Sequence, residues 1–216
     1  MNHILEQISD EAREYFEEQT TKREYALAQA RLIIRHSAQS IRATHRGESE
    51  KADEELTQAK VLTTSLIEKL HPYPQILYAG YTQDAIKEYV EAAITYSLIF
   101  QLPLPTPQEL NVNYEPYLLG LAEANGELRR HCLDILRSGY SEKAENLLSI
   151  MDDIYSLLIT MDYPEAVTGG LRRITDLVRS INERTRGEIT IILRESKLEE
   201  QLSLLSSKLQ HGHSKE

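Results

Sequence analysis

Apolar residues recur at intervals of three and four along almost the whole chain, and no run of alternating apolar and polar residues sits between turn residues. The pattern predicts an all-α protein. Breaks are few: His45-Arg46-Gly47-Glu48-Ser49, His71-Pro72-Tyr73-Pro74, the stretch from Leu102 to Pro107, Ser138-Gly139-Tyr140-Ser141, Asp162-Tyr163-Pro164 and Arg186-Gly187. Six or seven helices follow. They are long against a globular mean of about 11 to 12 residues, and an antiparallel bundle accommodates such lengths best. Ser49 and Ser141 are N-cap candidates, since each hydroxyl can accept from an orphan backbone N–H. Asp162 with Pro164 and Glu165 combines capping-box spacing with a first-turn proline. Gly169-Gly170 read as a point of close helix packing. In the last helix, Ile189, Ile192, Leu193, Leu198, Leu202, Leu205 and Leu209 make a stripe that serves either an internal core or self-association. Residues 1–210 are expected to form one domain, and 211–216 a frayed tail.

Composition narrows the class. With 216 residues, 41% hydrophobic and 27% charged, the chain is globular and long enough for a sizeable core. Its longest apolar stretch, Ala92 to Phe100, falls far short of the roughly 20 residues of a membrane span. Acids at Glu6, Asp10 and Glu11 do not suit a secretory leader, so a cytoplasmic location is expected. The lone Cys132 excludes an internal disulfide and a cysteine-built zinc cluster. A net charge of −10 argues against a protein that coats nucleic acid over its whole surface.

Against that acidic background, Lys22 to Arg46 carries six basic residues and the single acid Glu24. At about 100° per residue, Arg31, Arg35, Arg42 and Arg46 fall within about 60° of one another, while Leu32, Ile33, Ile34 and Ile41 are expected to point to a core. Such a row spans about 22 Å of helix and suits a line of phosphates. The alternative is a solvated face, or ion pairs to a neighbouring helix. His45 could add a polar contact or close the helix end.

Glu88 and Glu91 share one face of a helix that is otherwise apolar around most of its circumference, from Val90 to Phe100. A carboxylate drawn into such surroundings must be paired, protonated or metal-bound. Glu123 and Glu127 form a second pair, four residues apart. Two such helices can aim four carboxylates at one another, a donor set that selects Mg²⁺ or Mn²⁺ and suits phosphodiester cleavage. The alternative is that both pairs are ordinary exposed acids among 34. A di-iron bundle needs two Glu-x-x-His motifs, and only Glu68-Lys69-Leu70-His71 is present.

The segment Tyr163-Pro-Glu-Ala-Val-Thr-Gly-Gly-Leu-Arg-Arg-Ile-Thr-Asp-Leu-Val-Arg-Ser-Ile-Asn-Glu-Arg-Thr-Arg-Gly-Glu-Ile-Thr190 resembles the C-terminal signature of the translin superfamily, as does His45-Arg46-Gly47-Glu48. Glu88-Tyr-Val-Glu91-Ala92 and Tyr117-Leu-Leu-Gly-Leu-Ala-Glu-Ala-Asn-Gly-Glu-Leu128 look like its TRAX branch. The resemblance covers nearly the whole chain and implies an all-α subunit of about seven helices in a closed homo-oligomeric barrel, an octamer, that encloses RNA. It also implies a Mg²⁺-dependent endoribonuclease site, which carried over by position falls on Glu88, Glu91, Glu123 and Glu127. The TRAX motif commonly has Asp where this chain has Glu123. The expected substrate is single-stranded RNA or a short duplex, with single-stranded DNA as a further ligand, held by Arg31, Arg35, Arg42, His45 and Arg46. A source in the archaea is expected. Two rivals stand beside this reading: a non-catalytic translin-like binder with structural acids, and a helical scaffold with no nucleic-acid role.

Overall fold

The computed structural model describes residues 2–213, with side chains described for residues 3–207. No strand forms among them, and six long helices carry the fold. These are α1 (Asn2–His45), α2 (Ser49–Leu70), α4 (Gly80–Ile99), α6 (Tyr114–Leu136), α7 (Glu142–Leu158) and α9 (Leu171–His213). Three one-turn helices sit in the connections: α3 (Pro74–Leu77), α5 (Pro107–Leu110) and α8 (Glu165–Thr168). The all-α architecture is as the periodicity predicts. No described helix is long and apolar enough to cross a membrane. The expected tail, 211–216, lies outside the residues with described side chains.

Local chemistry sets the breaks. At the end of α1 the Gly47 N–H donates to the Thr44 carbonyl (3.0 Å) and the Glu48 N–H to the Ala43 carbonyl (3.0 Å), with Gly47 at φ +73°. This is a Schellman stop, which requires a left-handed residue where glycine costs least. The chain turns so tightly that Glu48, not Ser49, takes the cap of α2; its carboxylate is held by Arg46 and caps nothing. Ser141 does cap α7, its hydroxyl accepting from the Lys143 N–H at 3.3 Å. The proline signal at 162–165 starts only α8, with Pro164 in the cap position. Gly169 and Gly170 stop it at φ +59° and +86°, so their role is conformational, and a Cβ at Gly170 would meet only the Glu165 carboxylate at 3.7 Å, not the close packing expected there. Arg186-Gly187 does not interrupt α9, because tertiary packing on both sides outweighs one glycine.

The chain divides into two compact units, Met1–Leu121 and Ala122–Glu216, with the boundary inside α6. In the first, α1 buries Ala26, Ala30, Ile33, Ser37, Ser40 and Thr44, a strict alternation of four- and three-residue steps that keeps one seam inward. The facing positions of α2 include Ala52 and Ala59. These small side chains let the backbones approach, and the Ser40 hydroxyl donates to the Ala52 carbonyl at 2.8 Å. Helix α4 is buried around most of its circumference, including Ala85, Ile86, Tyr89, Val90, Ala93 and Ile94. Burial of each large aliphatic side chain here contributes about 1.5 to 3 kcal/mol. Tyr89 is 1% exposed and its hydroxyl has no hydrogen-bond partner among the described residues, so burial pushes its ionisation well above the usual phenol range. An orphaned buried hydroxyl costs about 1 to 3 kcal/mol. Tyr89→Phe is therefore expected to leave the melting temperature unchanged or raise it by a few degrees; a clear fall in Tm would reveal a partner for the hydroxyl.

In the second unit α9 repeats the same alternation with Leu171, Thr175, Val178, Asn182, Thr185 and Ile189. Asn182 is its polar pin: the amide accepts from Asn125 (2.9 Å) and donates to the Met151 carbonyl (2.8 Å) and to Asp152 (3.1 Å). Arg186 binds Asp152 at 2.5 Å, and Arg129 donates to Thr185 (2.8 Å) and Glu188 (2.9 Å). Cys132 is fully buried here, which pushes its thiol up to about 11. Of the expected α9 stripe, Ile189 is buried and Ile192 and Leu193 are half-buried, whereas Leu198, Leu202 and Leu205 are exposed. Leu209 lies outside the described side chains. At the other terminus Ile4, Leu5, Ile8 and Phe16 of α1 are also exposed.

Candidate metal centre and nucleic-acid interface

Helix α4 presents Glu88 and Glu91 three residues apart, and α6 presents Glu123. Each offers a carboxylate oxygen, and the three atoms lie within 4.8 Å of one another, all half-buried. The close approach of the helices has a visible cause. A Cβ at Gly120 would stand 2.8 Å from Val90 Cβ and Cγ1 and 2.9 Å from the Lys87 carbonyl oxygen, so only a residue without a side chain fits. Val90 and Lys87 directly adjoin Glu91 and Glu88, and Glu123 follows Gly120 by less than one turn. Gly120 and Lys87 escape a reading by charge and periodicity, although a glycine inside an apolar helix run is a signal of close approach.

Three ionised carboxylates at this spacing repel by about 3 kcal/mol per pair at an effective dielectric of 20. Basic neighbours, protonation or a cation offset that cost, and the Lys87 ammonium lies 3.7 Å from Glu88. The donor set is all oxygen, and 4.8 Å is close to the separation of oxygens on opposite sides of an ion bound at about 2.0 to 2.6 Å. The residues thus fit a hard divalent ion such as Mg²⁺ or Mn²⁺. No histidine belongs to the trio, and Glu68 and His71 of the lone Glu-x-x-His are exposed, which removes the di-iron alternative. Glu127 stands one turn beyond Glu123, with its carboxylate 3.6 Å from Arg130 and outside the trio.

Arg31, Arg35, Arg42 and Arg46 are all exposed on α1. Of the flanking apolar residues, Ile33 and Ile41 are buried, but Leu32 and Ile34 are each 37% exposed. With Ile33 facing inward, its neighbours are rotated about 100° to either side, so the expectation that all four point to the core is corrected for these two. Arg46 is engaged in a two-pronged pair with Glu48 (2.6 and 2.8 Å), which holds that carboxyl below its usual range. No ion pair engages Arg31, Arg35 or Arg42 among the described residues. His45 is half-buried in the last turn.

No protein-family model matches the chain. An uncharacterised protein of Methanocaldococcus jannaschii is 32% identical to it over 191 residues, which cover 87% of this chain and 84% of that protein. The crystal structure of AfC3PO is 31% identical, with a TM-score of 0.79 over 86% of this chain and 97% of the other. The chain belongs to the C3PO family, that of translin and TRAX. A second C3PO structure, AfC3PO in complex with duplex RNA, is 30% identical with a TM-score of 0.78, covering 86% of this chain and 96% of the other. Apo-NeC3PO, at 24% identity and a TM-score of 0.77 over 84% of this chain and 95% of the other, shares the fold. Membership of the C3PO family agrees with the resemblance carried by the 163–190 and 117–128 segments, and the archaeal relative agrees with the expected source.

Proposed function

We propose that this C3PO-family protein is a metal-dependent endoribonuclease that binds and cleaves single-stranded RNA or short duplexes inside a homo-oligomeric barrel. The convergence of Glu88, Glu91 and Glu123 carries the reading. These three would hold Mg²⁺ or Mn²⁺, with Glu127 next to them on α6 orienting water or closing the coordination sphere. A divalent ion bound there supplies Lewis-acid activation and a water nucleophile at neutral pH. The carboxylates position the ion and can take up a proton from the attacking water. Backbone phosphates are held by Arg31, Arg35, Arg42 and Arg46, with His45 at the end of the row, and such contacts carry no base sequence directly. A solved complex of AfC3PO with duplex RNA supports RNA as the ligand. The uncovered apolar ends of α1 and α9 support self-association, for which eight copies of the 24.8 kDa chain are expected by light scattering. A cytoplasmic setting accords with the reading.

The arginine row is tested by salt. Arg35→Ala with Arg42→Ala is expected to weaken RNA binding and to flatten the dependence of log K on log salt by about 1.4 for single strands, if each guanidinium neutralises one phosphate. A slope identical to that of the unaltered protein would assign both arginines to the solvated surface.

A further inference from the structure

A cavity in the first unit lies away from the acidic trio's residues, at the junction of α2, α3, α4 and the α5–α6 connection, with a volume of about 430 Å³. That is within the range of about 300 to 1,000 Å³ for small-molecule sites. Its floor is apolar: Ile67, Leu77, Ile86 and Val112. Around this stand His71, Tyr78, Gln83, Gln108, Asn111 and Asn113, flanked by Pro107 and Pro116. No Lys, Arg, Asp or Glu lines it, so a charged group placed inside would lose its hydration with no countercharge. The ligand it suits is uncharged, flat enough for an apolar floor and polar at its edges.

Hydrogen bonds already made within the protein narrow the chemistry. The Gln83 amide nitrogen donates to the Leu77 carbonyl at 2.8 Å, which fixes the amide orientation and leaves its oxygen as an acceptor. The Gln108 amide nitrogen donates to the Tyr114 hydroxyl at 3.0 Å and likewise leaves its oxygen. An edge carrying an amino group matches two such acceptors. The rim is preformed. Asn111 sits at φ +56°, locked by its N–H to the Gln108 carbonyl (3.1 Å) and by the Val112 N–H to the Pro107 carbonyl (3.0 Å), and the Thr106–Glu109 capping box pins α5 below it.

We propose that this cavity binds a neutral, amino-bearing nucleobase, with the sugar and phosphate outside it. Tyr78 and His71 offer faces for stacking, and the glutamine and asparagine amides read the base edge, the means by which proteins hold unstacked bases. The site stands on its own lining and does not depend on the acidic trio or on RNA cleavage.

Saturation-transfer NMR on the purified full chain with adenosine, AMP, uridine and ribose 5-phosphate tests it. Transfer is expected at the adenine protons of adenosine and AMP alike, with uridine about tenfold or more weaker for the loss of the amino group's two hydrogen bonds, and none for ribose 5-phosphate. Asn113→Trp, at the exposed rim, is expected to abolish the adenosine signal, and Gln83→Leu to weaken binding by about five- to tenfold at unchanged helical content. Displacement of adenosine by oligoadenylate would identify a base of a bound strand as the occupant, and its persistence would identify a free nucleoside; either supports the site. Binding of ribose 5-phosphate, or adenosine binding unaffected by both variants, would overturn it, as would absence of adenosine binding altogether.

Discussion

Glu91→Gln is expected to eliminate RNA cleavage while leaving RNA affinity, helical content and assembly as they are. The substitution keeps the shape of the side chain and removes the charge. Glu91 is one of three carboxylates within 4.8 Å of each other, so it contributes a third of the anionic field that would hold a divalent ion. Loss of several kcal/mol of transition-state stabilisation corresponds to a fall of about 10²- to 10³-fold or more in kcat. In the proposed reading the α1 arginines hold the phosphates, so RNA binding should not move with it. A parallel titration with Mn²⁺ separates the causes, since loss of a metal ligand must lower ion affinity and loss of a purely structural acid need not. Unchanged turnover in Glu91→Gln would remove the residue from the reaction, and a parallel loss of folding would assign it to the core.

Gly120→Ala is the second large effect, and its size follows from space alone. The added methyl would meet Val90 at 2.8 Å and the Lys87 carbonyl oxygen at 2.9 Å, and a backbone oxygen has no rotamer with which to retreat. Overpacking of this kind costs about 1 to 3 kcal/mol. Separation of α4 from α6 also moves Glu123 relative to Glu88 and Glu91, and an error of about 1 Å at a reacting centre can cost about 100-fold in rate. Gly126 lies less than two turns further along the same helix with nothing within 4 Å of its hypothetical Cβ. Gly126→Ala is expected to raise stability by about 0.4 to 1 kcal/mol and leave cleavage unchanged. Thermal melts and cleavage rates of the two variants, compared side by side, distinguish a steric effect at Gly120 from a general response of α6. Equal behaviour of the two would contradict the close-approach account.

The all-α fold was legible because apolar spacing of three and four residues is the same quantity that fixes the buried seams. Ala26 to Thr44 on α1 and Leu171 to Ile189 on α9 follow it step by step. The near-complete burial of α4 was equally legible from the apolar residues around Glu91. Helix ends were less so. Ser49 lost its cap position because the Schellman turn at Gly47 is one residue tighter than hydroxyl spacing alone can tell. Gly169-Gly170 read equally well as packing glycines, because a sequence does not distinguish a glycine needed for positive φ from one needed for space. Gly120 is the converse case, its role residing in a neighbour, Val90, that is thirty residues away in sequence. The convergence of Glu88 and Glu91 with Glu123 depends on that same contact, and so could be raised from the sequence but not ranked above ordinary surface acids. The fate of the α1 arginines was likewise undecided, because Glu48, which engages Arg46, is a loop residue outside any helical pattern.

Incubation of the purified protein with labelled single-stranded RNA in Mg²⁺, beside an identical sample in EDTA, separates a nuclease from a passive binder. Internal cleavage is expected in Mg²⁺ and none in EDTA, with RNA still bound in the chelated sample. Binding without cleavage in either condition would contradict that expectation and make the protein a non-catalytic RNA-binding member of its family.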